Sequence, residues 1–345
     1  MESLYAQERL TAIRHKLQGG KPAYLLGIGP GGHNAGCALV EITQENGIRL
    51  ICNNEEERFA GVKHYADYPQ LSVKNVLLQL NRLGLRASDI DACLANWDYI
   101  NLISHSLRTF VEELPGTLQM LKPQPRETFL TDYQVLLETL SAPRHLGEQL
   151  GFPKPFPIIN LRHHDNHAYF SYLVSPFTEI DQPVMVVVMD GSGDDGSLSL
   201  YLVKDETLTL IRNNNAMFDS LGTFYTMLSA TQGGWTPLSS EGRYMGAAAW
   251  GDNNRSTNRF YRQLRQLIYF GDHGEIFLNR SLANWHRAGY AKPYTKRLAQ
   301  LLGPPILPAE MWNPDKVLKL EATTLQESDT TVQARFDKAA ATQLV

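Results

Sequence analysis

Three of the chain's ten histidines fall within five residues, in Arg162-His163-His164-Asp165-Asn166-His167. Positions i and i+4 share one face of a helix, so His163 and His167 could both reach one metal ion. Neutral imidazole is a common ligand for iron and zinc. Surface or helix-capping histidines would give the same spacing with no metal at all. A second candidate is Asp190-Gly191-Ser192-Gly193-Asp194-Asp195-Gly196, which follows an apolar run. Its glycines would let backbone N–H groups approach a phosphate while the leading carboxylate binds a cation. A plain hairpin turn uses the same residue types. Gly27-Ile28-Gly29-Pro30-Gly31-Gly32-His33-Asn34 raises the same pair of readings. It lacks the context of a dinucleotide-binding turn, and the chain has no P-loop pattern.

Two further stretches are more polar than a scaffold requires. Glu55-Glu56-Glu57-Arg58-Phe59 is followed closely by Lys63 and His64. A solvated charge run is the ordinary explanation. The functional one has Arg58 and Lys63 holding phosphate or carbonyl oxygens, with the glutamates fixing them. Ser239-Ser240-Glu241-Gly242-Arg243-Tyr244-Met245-Gly246 places a Glu/Gly/Arg turn before a run of small residues, which close helix packing alone could explain.

The elements that must position these groups follow from the spacing of apolar residues. A short helix is expected over 4–17, ended by Gly19 and Gly20. Three extended stretches come next, at 24–29, 36–42 and 48–53. After Pro69, Leu71, Val73, Val76, Leu77, Leu80 and Leu83 recur at helical spacing, closed by Gly84, and a short strand follows at 91–96. Strand–strand–strand–helix–strand is the order of a ribonuclease-H-like unit. Residues 99–150 read as mostly helical, interrupted by Pro115, Pro123 and Pro125, and as an insertion packed on the first lobe. A strand at 156–160 and a helix at 163–174 follow. A second triplet of strands occupies 184–189, 197–203 and 208–212, before a long helix from about Asp219. Two such triplets predict an α/β chain of tandem ribonuclease-H-like lobes, as in actin, sugar kinases and Hsp70, with a nucleotide held between them. The expected division is an extension at 1–22, a first lobe at 23–182 and the start of a second lobe at 183–345.

Composition narrows the function classes. The chain has 345 residues, enough for about two domains. Its net charge of −4 supplies no general attraction for nucleic acid, so none is expected as a partner. No apolar run approaches ~18 residues, so no membrane span is expected. The first 20 residues are polar and lack the apolar core of a signal peptide, which predicts a cytoplasmic protein. Cys37, Cys52 and Cys93 are odd in number and set among apolar residues, as reduced, buried thiols would be.

Taken in order, these motifs resemble the carbamoyltransferase family that includes the nodulation-factor and the cephalosporin- and aminoglycoside-tailoring enzymes. Residues 27–40 are similar to that family's Gly-Ile…His-Asp-Ser-Ala-Ala-Leu-Val opening. Glu56-Glu57-Arg58-Phe59 with Lys63-His64 resembles its Glu-Glu-Arg-Phe-x-x-x-Lys-His, and residues 162–177 its His-His-x-x-His-Ala segment ending in Ser-Pro-Phe. Asp190-Gly191, Ser220-Leu221-Gly222-Thr223-Phe224-Tyr225 and residues 241–248 match three further motifs in order. Asn34 stands where the family has Asp, and Arg243 where it has Lys.

The resemblance implies an ATP-dependent O-carbamoyltransferase. In such enzymes a separate C-terminal domain makes carbamoyl-adenylate from carbamoyl phosphate and ATP, and the tandem actin-like domain passes the carbamoyl group to a hydroxyl of a small molecule. Carried over by motif, His163, His167 and Asp190 would hold an iron or another divalent metal ion. Lys63, Arg58, Asp190 and Gly191 would contact the adenylate. His33 would lie near the acceptor as general base, with Asn34 and Glu241 on the substrate side. The family's following Gly-Gly-x-Ala-Leu-Asn and Gly-Asp-x-Gly motifs do not occur, so the chain is expected to be the N-terminal part, its second lobe incomplete. The activating domain would then be a partner in cis or in trans, a second copy of the chain a further one, and the chain alone would not complete the reaction. Two other readings remain at this point: a non-catalytic actin-like scaffold, and a relative of the enzymes that make threonylcarbamoyl-adenosine in tRNA.

Overall fold

A computed structural model describes residues 4–30, 34–112, 114–115, 117–118, 133–194, 196–214, 219–233, 241–272, 275–283, 295–303 and 330–345. By compactness the chain divides into one unit of Met1–Ile103 with Asp132–His167 and another of Ser104–Thr131 with Ala168–Val345.

The first unit is built on a five-stranded sheet. Helix α1 (Leu4–Gln18) leads into β1 (Ala23–Gly29), β2 (Gly36–Thr43) and β3 (Gly47–Glu55). A short turn of helix, α2 (Glu57–Ala60), precedes α3 (Gln70–Arg82), β4 (Ile90–Ala95), α4 (Tyr99–Glu112, of which Ser104 onward belongs to the second unit), α5 (Tyr133–Leu150) and β5 (Ile158–Asn160). The strand order is β3-β2-β1-β4-β5. β1, β2 and β3 are antiparallel neighbours, whereas β4 pairs parallel to β1 and β5 parallel to β4. The central position of β1 suits its composition: Ala23, Tyr24, Leu26 and Ile28 are all buried, and β4 beside it buries Ile90, Ala92, Cys93 and Ala95. Helix α3 covers β2 and β3. Its buried stripe is Val73, Val76 and Leu80, at the expected spacing, while Leu71 and Leu83 stay exposed. Each of those three side chains contributes roughly 1.5–3 kcal/mol on burial. Helix α1 is tied down by Lys16, whose Nζ lies 2.7 Å from Asp91 Oδ2, the same oxygen that accepts from Tyr24 N.

Helix α6 (His163–Leu173) follows β5, and its residues from Ala168 onward belong to the second unit. That unit contains a three-stranded antiparallel sheet, β6 (Val184–Met189), β7 (Leu198–Lys204) and β8 (Thr207–Asn214), in sequential order. Val186, Val188, Tyr201 and Val203 form the buried face, packed with Ala168. Alternate residues Met185, Val187 and Met189 of β6 point outward and are 68, 48 and 62% exposed. Helices α7 (Leu221–Gly233), α8 (Glu241–Ala248) and α9 (Tyr261–Leu264) follow, then a small hairpin of β9 (Ile268–Phe270) and β10 (Ile276–Leu278). Two further helices are α10 (Lys296–Leu302) and α11 (Thr330–Leu344). Ala339, Ala340 and Ala341 of α11 are fully buried, and α11 packs on α7, α8 and α9. Small residues allow that close contact, which the Tyr244–Thr342 hydroxyl pair extends.

The mixed α/β class, the two strand triplets and the helix between β3 and β4 agree with the sequence expectation. Cys37 and Cys93 are buried, Cys52 is half-buried, and all three are free thiols. Among the described residues, no helix is long and apolar enough to cross a membrane.

Candidate functional site

Strand register gathers the first unit's candidate residues at one end of its sheet. Ile28 pairs with Ala95, and Ala95 with Asn160, so the carboxyl ends of β1, β4 and β5 lie together. Gly36 pairs with both Gly29 and Glu55, which brings the end of β3 to the same side. Open α/β sheets collect ligand-binding loops at the carboxyl ends of their parallel strands.

The two-residue turn out of β5 opens α6 with His163, and His167 lies one turn later. Their Nε2 atoms are 3.1 Å apart. His163 Nδ1 lies 3.0 Å from the Asn96 carbonyl oxygen, which can only accept, so this nitrogen carries the proton. In the neutral ring Nε2 of His163 is then the lone-pair nitrogen, and it faces His167. Two imidazole nitrogens so close must share either one proton or one cation. The donor set therefore fits a divalent ion of the borderline class, and the carbonyl behind His163 is the outer support that metal-binding imidazoles use. The Trp97 ring stacks on His163 at 3.8 Å and 18°. Asn166 Nδ2 reaches the same Asn96 carbonyl at 3.3 Å.

The acidic run after β3 does two jobs. Glu56 is 1% exposed, and its carboxylate accepts from Leu71 N at 2.9 Å and Ser72 N at 2.7 Å. It thus caps the start of α3, where backbone donors lack partners. A solvated charge run does not describe Glu56. Arg58 and Lys63 do reach water: Arg58 pairs with the exposed Glu55 at 3.3 Å, and Lys63 with Glu57 at 2.7 Å, the Glu57 side chain itself being only 8% exposed. The Lys63 ammonium, then the His64 N–H, hold the Glu57 carboxyl below its usual range. Glu57 therefore fixes Lys63 and His64 from one carboxylate. Asn34 and His64 both adopt left-handed backbone, at φ 58° and 53°, and their side chains meet at 3.1 Å. Ala35 N donates to Tyr65 O, and Glu56 N to Ala35 O, which knits the three loops together. His33 lies outside the described residues.

In the second unit, Asp190 and Gly191 form the turn that leaves β6. Asp190 Oδ1 accepts from Gly191 N at 2.6 Å. The Ser220 hydroxyl donates to the Asp190 carbonyl at 2.8 Å and accepts from Thr223 N at 3.1 Å, while Thr223 Oγ1 donates to the Gly191 carbonyl. Gly222 makes this approach possible: a Cβ there would sit 2.5 Å from Gly191 N and 2.6 Å from its Cα. The amino end of α7 is thereby set directly against the Asp-Gly turn. Asp219 has a framework role, accepting from Leu278 N and pairing with Arg280 at 2.9 Å. Glu241 is the half-buried first residue of α8. Burial, then the charge of Glu241, pushes the Tyr225 hydroxyl up to about 12.

Within the first unit, then, His163 meets His167, Asn34 meets His64, and Lys63 and Arg58 are braced by glutamates. Within the second, Asp190 and Gly191 meet the start of α7. Sequence reasoning missed the supports: the Asn96 carbonyl, Trp97, and the buried cap made by Glu56. An aromatic residue directly after a predicted strand end was the one available sign of Trp97.

A family model described as the carbamoyltransferase N-terminus matches residues 25–293. A protein of Synechocystis sp., the uncharacterized protein sll1178, is 26% identical over an alignment of 242 residues that covers 66% of this chain and 35% of that protein. The matched stretch thus spans about a third of the relative's length. Two Aquifex aeolicus structures of the Ppx/GppA family align over 94 and 93% of this chain and 90% of theirs, at 9 and 10% identity. Their TM-scores of 0.32 and 0.33 are too low to establish a shared fold.

Proposed function

Because the chain belongs to the carbamoyltransferase family through its N-terminal domain, we propose that it carries the transfer half of an ATP-dependent O-carbamoyltransferase. The carbamoyl group would come from carbamoyl phosphate by way of carbamoyl-adenylate and pass to a hydroxyl of a small molecule. The observation that carries this reading is the His163–His167 pair, with its Nδ1 proton fixed by Asn96 at the carboxyl ends of parallel strands. The strand order β3-β2-β1-β4-β5, three antiparallel strands followed by two parallel ones, supports a ribonuclease-H-like first lobe, and the second strand triplet supports a repeat of it.

His163, His167 and Asp190 are the residues proposed to hold the metal, iron or another divalent ion. When bound, the metal would neutralise charge on the phosphate and polarise the carbamoyl carbonyl. The chain's own groups do the rest. The acceptor oxygen attacks the carbamoyl carbon, the bond from that carbon to the adenylate phosphate oxygen breaks, and AMP leaves. His33, by its motif, takes the hydroxyl proton as the new bond forms, a role worth typically ~10²–10⁴-fold. Lys63, paired with Glu57, and Arg58, paired with Glu55, would turn toward the leaving-group oxygens of the adenylate. Gly191 leaves room for close approach of the adenylate, and Asn34 and Glu241 contact the acceptor side.

The test is metal content of the chain purified without oxygen, beside a His163→Ala/His167→Ala double variant. Near-stoichiometric iron or zinc, lost in the variant, is expected. Transfer to a hydroxyl acceptor from supplied carbamoyl-adenylate should then follow metal loading. A folded chain that takes up no divalent ion would overturn the catalytic reading in favour of a scaffold.

A further inference from the structure

Two adjacent residues grip the same imidazole. Asn96 holds the His163 ring at its edge, through the carbonyl to Nδ1, and Trp97 holds it at its face, through a near-parallel stack at 3.8 Å and 18°. Both come from the connection between β4 and α4, which is pinned on either side. Ala95 pairs with Ile28 and Asn160 and accepts from Leu161 N at 3.0 Å. Asp98 accepts from Asn101 N at 3.2 Å, and its carbonyl from Leu102 N, which closes the first turn of α4. The Asn96 side chain packs beside Gly29, the last residue of β1. Trp97 therefore stands on a backbone with little freedom.

An imidazole held by one hydrogen bond can still swing about that bond. A flat ring across its face removes the swing, and with it the orientations that turn Nε2 away from His167. We propose that Trp97 is a positioning residue for the His163–His167 pair: its indole fixes the plane of His163, so that Nε2 stays aimed at the shared ion while Asn96 fixes the tautomer. The proposal rests on the reading of that pair as metal-binding. Outer-shell supports of this kind typically change metal affinity by ~10–100-fold.

The experiment compares Trp97→Phe and Trp97→Leu with the unaltered chain. Phe keeps a flat face, whereas Leu keeps apolar bulk without one. Cobalt(II) is titrated in and followed by its visible absorption and by quenching of tryptophan fluorescence. The ¹⁵N shifts of His163, recorded without metal, report its tautomer and exchange. Binding about 10–100-fold weaker for Leu, largely restored for Phe, is expected. The His163 signals of the Leu variant should broaden by exchange between ring orientations while the tautomer held by Asn96 stays, and the part of the quenching that Trp97 contributes should be lost in both variants. Leu binding cobalt as tightly as the unaltered chain, with unchanged His163 signals, would overturn the positioning role. If the unaltered chain binds no cobalt, the metal reading falls by itself. The exchange broadening of the His163 signals then still decides whether Trp97 orders the ring.

Discussion

Ser220 holds Asp190 from behind: its hydroxyl donates to the Asp190 carbonyl at 2.8 Å while accepting from Thr223 N, so one side chain both caps α7 and anchors the turn that carries the carboxylate. Ser220→Ala should cost about 1–2 kcal/mol, as the loss of an N-cap does, read from the urea midpoint. Gly222→Ala should cost more, above ~2 kcal/mol, because the added Cβ meets backbone rather than a flexible side chain. Metal uptake should fall further in Gly222→Ala than in Ser220→Ala. Equal and unaltered uptake in both would show that this contact does not set the position of Asp190.

Glu56 gives a sharper stability test. It is a buried carboxylate with two backbone donors at the start of α3. Glu56→Ala strands the Ser72 N–H in the interior, takes the acceptor from the half-buried Leu71 N–H, and should cost about 2–3 kcal/mol. Glu56→Gln keeps one acceptor and should lose about half as much. Hydrogen exchange should localise the change to the amides of Leu71 and Ser72.

A pH effect is expected from Lys338 on α11. Burial, then the charges of Arg259 and Arg335, lowers its ammonium to about 8 from 10.5, with Nζ 5.2 Å from the centre of the Phe260 ring. Between pH 8 and 10.5 the unfolded chain holds a proton that the folded chain has released, so this group's contribution to stability rises with pH across that window. Below pH 8 the penalty is present in full. Lys338→Met should therefore stabilise the chain at pH 7, by roughly 1–2 kcal/mol after solvent screening, and the gain should fade by pH 10.5. Paired urea titrations at the two values check this. A gain that is the same at both would mean that the variant acts through packing alone.

The strands were readable because each carries its own signal. Val-Met-Val-Val-Val-Met announces β6 without help from any distant residue, and the stripe of Val73, Val76 and Leu80 announces α3. Helical spacing likewise placed His163 and His167 on one face. Three adjacent glutamates were not separable in the same way. Which of them is buried depends on Leu71 and Ser72, which the chain brings back only after the turn through Gly61 and Pro69. Trp97 was silent for a similar reason, since its partner lies 66 positions on and meets it only through the parallel pairing of β4 with β5. The β9–β10 hairpin was not anticipated either. Its three-residue strands are too short to show alternation, and Asp219 holds it from outside through Leu278 N. A helix over 133–150 that contains Pro143 also departs from the rule that proline ends helices.

The outward side of β6 has a consequence for the chain's colloidal behaviour. Among the described residues β6 is an end strand of its sheet, and Met185, Val187 and Met189 form an exposed apolar row along it. Exposed apolar rows of this kind are where folded chains stick to one another. Val187→Lys places a charge on that side while Val186 and Val188 keep their buried places. Light scattering should show the variant staying dispersed at concentrations where the unaltered chain clusters, with the same unfolding midpoint.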